Sequence, residues 1–161
     1  MATRHPMMAP DPAVAPGPAP THPTAARWHR AALVPTIDSF ERALVEPGPP
    51  EALPGRLTTA VHALRSSFAD HVGATEGPDG LYAELLDQAP RLAPGVTVLV
   101  RDHARVAAAI DALAGRLDAP DTDPDELRRR SGRLLRWLCR HRQRGADLVY
   151  EAYDTDLGGE T

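Results

Sequence analysis

The chain has 161 residues, 42% of them hydrophobic and 25% charged, with a net charge of −4. That is one soluble domain at most, and its acidic balance argues against nucleic acid as the main partner. A single cysteine, Cys139, excludes an internal disulfide and a thiolate metal cluster, and no apolar run approaches the roughly 20 residues that a membrane-spanning helix needs.

Residues 1–24 hold seven of the 17 prolines, among Ala, Gly and Thr. Such a stretch cannot sustain a helix or bury much surface, so a disordered tail is expected there, with His5 and His22 outside any site. It has no apolar core of the kind that marks a secretory signal, which makes the cytoplasm the expected location. Only seven residues of the chain are aromatic, so the core must be aliphatic, a composition that leans towards helices.

Apolar spacing of three and four then predicts four long helices. The first spans about 25–45, with Leu33, Ile37, Phe40 and Leu44 on one seam and Pro35 expected to kink it or delay its start. Residues 46–55, rich in proline and glycine, read as a loop. The second helix spans about 56–76 with Leu57, Val61, Leu64 and Phe68 inward, and Gly77-Pro78-Asp79-Gly80 ends it. Leu81–Asp87 reads as a short helix.

The third long helix starts near Pro94 and carries Val96, Leu99, Val106, Ile110, Leu113 and Leu117. The fourth has a clear start: Asp123 as N-cap, Pro124 at the first helical position and Glu126 completing a capping box. Its seam is Leu127, Leu134, Leu138 and Leu148. The expected architecture is all-α, an up-down-up-down four-helix bundle over 25–155, followed by a flexible segment at 156–161. The arginine run on the last helix, from Arg128 to Arg144, reads as a solvated, salt-bridged face.

Each long helix places one histidine on its seam: His29, His71, His103 and His141. With about two positions in seven facing a seam, chance would align all four in under about one case in a hundred. Their heights also agree. His29 stands 16 residues before Val45, His71 15 after Arg56, His103 14 before Leu117 and His141 17 after Pro124. At a rise of about 1.5 Å per residue these levels match to within about 5 Å. Four imidazoles in one apolar layer would be costly without a partner for their lone pairs, which a metal ion supplies. His62, nine residues before His71, falls on the opposite face and should be exposed.

The segments RWHRAAL, FADHVGATEGPDGLYAEL, RDHARV and CRHRQRGADLVYEAY resemble the hemerythrin-like, or HHE cation-binding, family over about residues 25–155. The resemblance implies a non-haem iron site, of one or two ions, that binds or senses O2 or NO, and related members are linked to peroxide chemistry. The family places a Glu four residues after the histidine of the second helix. Thr75 stands at that place here, and Glu76 follows, able to turn inward through a π-bulge at Gly73. A histidine found four residues after His103 in the O2 carriers is replaced by Ala107. The carboxylate expected after His141 is replaced by Gly145 or Ala146, leaving Asp147 or Glu151. The implied ligands are thus His29, His71, Glu76, His103, His141 and Asp147.

Imidazole and carboxylate donors suit Fe(II), Mn(II) or Zn(II) alike, and it is the resemblance that favours iron. Asp70 and Asp102 each precede a seam histidine and have the chemistry to orient a ring, although adjacent helix positions diverge by about 100°, which favours two surface charges. Tyr82 and Tyr150 have hydroxyls able to donate to a bound oxygen species, but the favoured expectation is ordinary boundary residues with their hydroxyls at the surface. A monomer or homodimer binding a diatomic ligand or a small substrate is expected. Oxidase or peroxidase activity and a metal-free interaction module stand as alternatives, the first favoured by the space that Gly145 leaves beside His141.

Overall fold

The structure is a computed structural model that describes the backbone of residues 24–154 and the side chains of residues 33–152. The expected tail at 1–24 and the terminal segment at 156–161 lie outside the described residues, Thr24 apart. Five helices follow in order: α1 Thr24–Val45, α2 Leu53–Glu76, α3 Leu81–Gln88, α4 Ala93–Leu117 and α5 Pro124–Asp154. The four long ones close a ring, α1 on α2, α2 on α4, α4 on α5 and α5 back on α1, which is a four-helix bundle. Short 3-10 turns at Pro50–Ala52 and Pro90–Leu92 lead into α2 and α4.

The apolar seams face inward as their spacing requires. Leu33, Ile37 and Phe40 of α1 meet Leu57, Val61, Leu64 and Phe68 of α2, Val106, Ile110 and Leu113 of α4, and Leu127, Leu134 and Leu138 of α5. Each leucine so buried stabilises by about 1.5–3 kcal/mol. Leu44 and Leu117, at the seam ends, are only partly buried. A second cluster sits at the far end, where Leu81, Tyr82 and Leu85 of α3 cover Val96 and Leu99 of α4 and Leu148 of α5.

The helix ends depart from expectation where proline chemistry decides. α2 starts at Leu53, inside the expected loop, because Pro54 needs no N–H partner in a first turn and Leu53 is fully buried. Pro35 lies within α1 without ending it. Asp123 does cap α5, its carboxylate accepting from Asp125 N–H at 3.0 Å. Glu126 does not close the capping box. Its carboxylate accepts instead from Arg116 at 2.9 Å and Arg130 at 2.8 Å, tying the α4–α5 turn. Arg56 ties the α1–α2 turn by donating to the carbonyls of Ala43 and Glu46. Gly80 is needed between α2 and α3, since a Cβ there would lie 2.7 Å from the carbonyl oxygen of Thr75.

Ser131 occupies the seam gap between Leu127 and Leu134. It is 0% exposed, and its hydroxyl has no hydrogen-bond partner among the described residues. A buried, unsatisfied hydroxyl is destabilising, and alanine is the better helix former. Ser131→Ala is therefore expected to stabilise the protein by about 1 kcal/mol, read as a higher urea midpoint with an unchanged slope. A lower midpoint would show that the hydroxyl is satisfied.

Candidate metal centre

Between the two apolar clusters lies a polar layer. His71 of α2, His103 of α4 and His141 of α5 are all buried, at 8%, 2% and 3% exposure. Their Nε2 atoms converge: 3.1 Å from His71 to His141, 3.3 Å from His71 to His103, and 3.2 Å from His103 to His141. Phe68, one turn before His71, sits against all three rings, with centroids 5.7–6.1 Å away. On the other side Tyr82 of α3 stacks on His103 at 5.8 Å and 16°. The histidine layer is thus packed between two aromatic rings.

The donor geometry fits a transition-metal ion. Bonds of about 2.0–2.1 Å from three nitrogens spaced in this way subtend angles of about 100° at the ion, between the octahedral and tetrahedral values. Proton accounting points the same way. His103 donates from Nδ1 to Glu76 Oε1 at 2.5 Å, which leaves its Nε2 as a bare lone pair facing the other two rings. Neutral His141 has one proton for two buried nitrogens, and its Nδ1 finds no partner among the described residues. A cation at the point where the three Nε2 atoms converge uses the inward lone pairs together.

Two of the three rings are also kept uncharged. Burial lowers the pKa of His141 to about 4, with repulsion from His103 and Arg144 adding to the effect against the attraction of Asp102. Burial lowers His103 too, opposed by its hydrogen bond and attraction to Glu76 and by Asp102. Neutral imidazole is the metal-binding form.

The six expected ligands divide sharply. His71, His103 and His141 come together, and they form the one group of potential metal ligands found among the described residues. His29 lies on α1 one turn before Leu33, but its side chain falls outside the described residues. Glu76 reaches the site by another route than the one expected. α2 stays α-helical through Gly73, Thr75 takes the buried position, and Glu76, the last residue of α2, grips the outer nitrogen of His103.

Asp147 does not join the site. It is exposed and accepts from Gln143 at 2.8 Å, because α5 continues as a regular helix past Gly145 and leaves residue 147 about 120° from His141. Glu151, the alternative, is exposed as well. His62 is exposed, as its register requires.

Two neighbours, Tyr82 and Asp102, carry information that helical periodicity alone does not. Tyr82 is buried, not a boundary residue, while Tyr150 is 69% exposed. Burial raises the Tyr82 phenol well above its usual range despite a hydrogen bond with Thr75, and Glu76 and Asp102 push it the same way. Asp102 is 7% exposed and pairs with Arg144 at 2.6 Å and Arg105 at 3.5 Å, clamping α4 to α5 beside the histidines. Asp70 is exposed, as adjacent-position geometry implies. A cavity of about 50 Å³ abuts His71 and His141, walled by Leu33, Ile37, Leu81 and Leu148, with Tyr82 and Gly145 at its margin. It has room for a molecule of a few atoms.

Comparison with family models, with curated proteins and with solved structures finds no match to this chain.

A pH dependence follows from the neutral layer. Histidine in the unfolded chain titrates near 6.5, so between that value and about 4 the unfolded state binds more protons than the folded one. Stability is fully present above this window and falls as the pH drops through it. The His141 share is on the order of 3 kcal/mol by pH 4. Urea midpoints of the metal-free protein are expected to fall across this range, and His141→Leu should flatten the fall. A wild-type midpoint insensitive to pH would contradict a buried neutral His141.

Proposed function

We propose that this protein is a hemerythrin-like, non-haem iron protein that binds or senses a small diatomic ligand, O2 or NO, inside its helical bundle. The observation that carries the reading is the meeting of three Nε2 atoms from three helices within 3.3 Å of one another in an otherwise apolar interior. The resembling segments around His29, His71, His103 and His141 support iron in particular; the nitrogen donors themselves would also accept Mn or Zn.

When bound, such an ion supplies a redox-active Lewis acid with open coordination positions. The chain supplies the rest. His71, His103 and His141 bring their Nε2 atoms to one point, and Glu76 holds the His103 proton at Nδ1. Phe68, Tyr82 and the surrounding leucines exclude bulk water and restrict the space to a ligand of a few atoms. An apolar, narrow surrounding of this kind favours small neutral molecules over hydrated ones.

A second reading, a metal-dependent oxidase or peroxidase, draws support from the cavity itself. Gly145 lines it beside His141, and a Cβ at that position would meet nothing within 4 Å, so space is available there for a small substrate.

Iron, manganese and zinc per chain, measured on purified wild type and on His103→Ala, test the reading. Wild type is expected to carry transition metal and the variant to lose most of it. Equal metal content in the two would remove the histidine layer as the binding site. For the cavity, Gly145→Leu is expected to retain iron while losing NO binding to the ferrous protein, followed by visible absorption. Undiminished NO binding would place the ligand elsewhere. Peroxide turnover above the free-iron background would favour the second reading.

A further inference from the structure

Given that the three histidines bind metal, as proposed above, we infer that the centre holds a single ion and that Glu76 is a positioning residue for it and not a ligand. All three Nε2 atoms lie within 3.3 Å of one another, the spacing of ligands sharing one ion. Two ions roughly 3.5–4 Å apart would need donors divided between them and a carboxylate to bridge. Among the described residues no carboxylate oxygen joins the group.

Each nearby carboxylate is occupied otherwise. Asp102 is held by Arg144 and Arg105. Asp147 is exposed and on Gln143. Glu76 meets the site from outside, accepting the Nδ1 proton of His103 on the edge of the ring opposite the converging nitrogens. The inward position on α2, four residues after His71, belongs to Thr75, whose hydroxyl donates back to the carbonyl of His71 at 2.8 Å and is too weak a donor to bridge two cations. A carboxylate on the outer nitrogen fixes the tautomer, aims the ring and makes Nε2 a better ligand. Removing such a partner typically weakens metal binding by about 10–100-fold.

The test uses Co(II) as the probe, titrated into the full-length metal-free protein and followed by its d–d absorption. Saturation at one ion per chain is expected. Saturation at two per chain would overturn the single-ion inference while leaving the metal reading intact. Absence of saturable binding would overturn the metal reading, and the inference with it.

Two variants separate positioning from ligation. Glu76→Ala is expected to lower Co(II) affinity by about 10–100-fold and, by leaving the buried Nδ1–H of His103 unpaired, to lower the thermal midpoint of the metal-free protein while it still unfolds cooperatively. Glu76→Gln still accepts the Nδ1 proton, so it is expected to lose roughly tenfold or less and to keep the wild-type band positions, since the atoms bound to the ion are the same. A Glu76→Gln spectrum with shifted bands, or a loss equal to that of Glu76→Ala, would show that the carboxylate binds the ion directly and overturn the assignment.

Discussion

An imidazole ring carries two nitrogens, and a bundle interior made of leucine and valine offers them nothing. One such ring can turn an edge towards a backbone carbonyl or the surface. Three meeting at a single level have fewer ways out, because each blocks the approach of water to the others. The whole upper half of this molecule is arranged around that constraint. Phe68 fills the space beneath the rings, Tyr82 lies over one of them, and Glu76 takes the outer nitrogen of His103. Burial favours the neutral form of His103 and His141, and neutral rings are what a cation requires.

The helices and their buried faces were legible because they depend on spacing within one segment. Leu57, Val61, Leu64 and Phe68 repeat at intervals of three and four, and a histidine three residues further on must share their side of the helix. The matching heights of His71, His103 and His141 followed from rise per residue and the positions of the turns. Features that join distant segments were not legible in this way. Tyr82 covers the site only because the turn through Gly80 folds α3 back over it. Asp102 is buried only because Arg144 reaches it from a helix 42 residues later in the chain.

Glu76 illustrates the boundary between the two kinds of information. Its closeness to His103 depends on where α2 stops, and helix ends are decided by local competition among proline, glycine and side-chain partners. Family resemblance led to a ligand at this position, reached through a distorted helix. The chain keeps the helix regular, buries Thr75, and uses the carboxylate from the far edge of a neighbouring ring. The same regularity in α5 carries Asp147 out to solvent. Both differences come from one physical cause, the persistence of an unbroken hydrogen-bond ladder where a bulge was needed.

The aromatic sandwich has a further consequence for how the interior would respond to an ion. Phe68, set edge-on to His103 and His141, and Tyr82, stacked on His103, leave the imidazoles little freedom to tip, and the Asp102–Arg144 pair holds two of the three supporting helices at a fixed separation. Little reorganisation is then required on loading, so the entropy of assembling the ligands has been met during folding. Occupancy would be governed by the passage of an ion through the aliphatic wall, and exchange would be slow compared with capture at an open surface site.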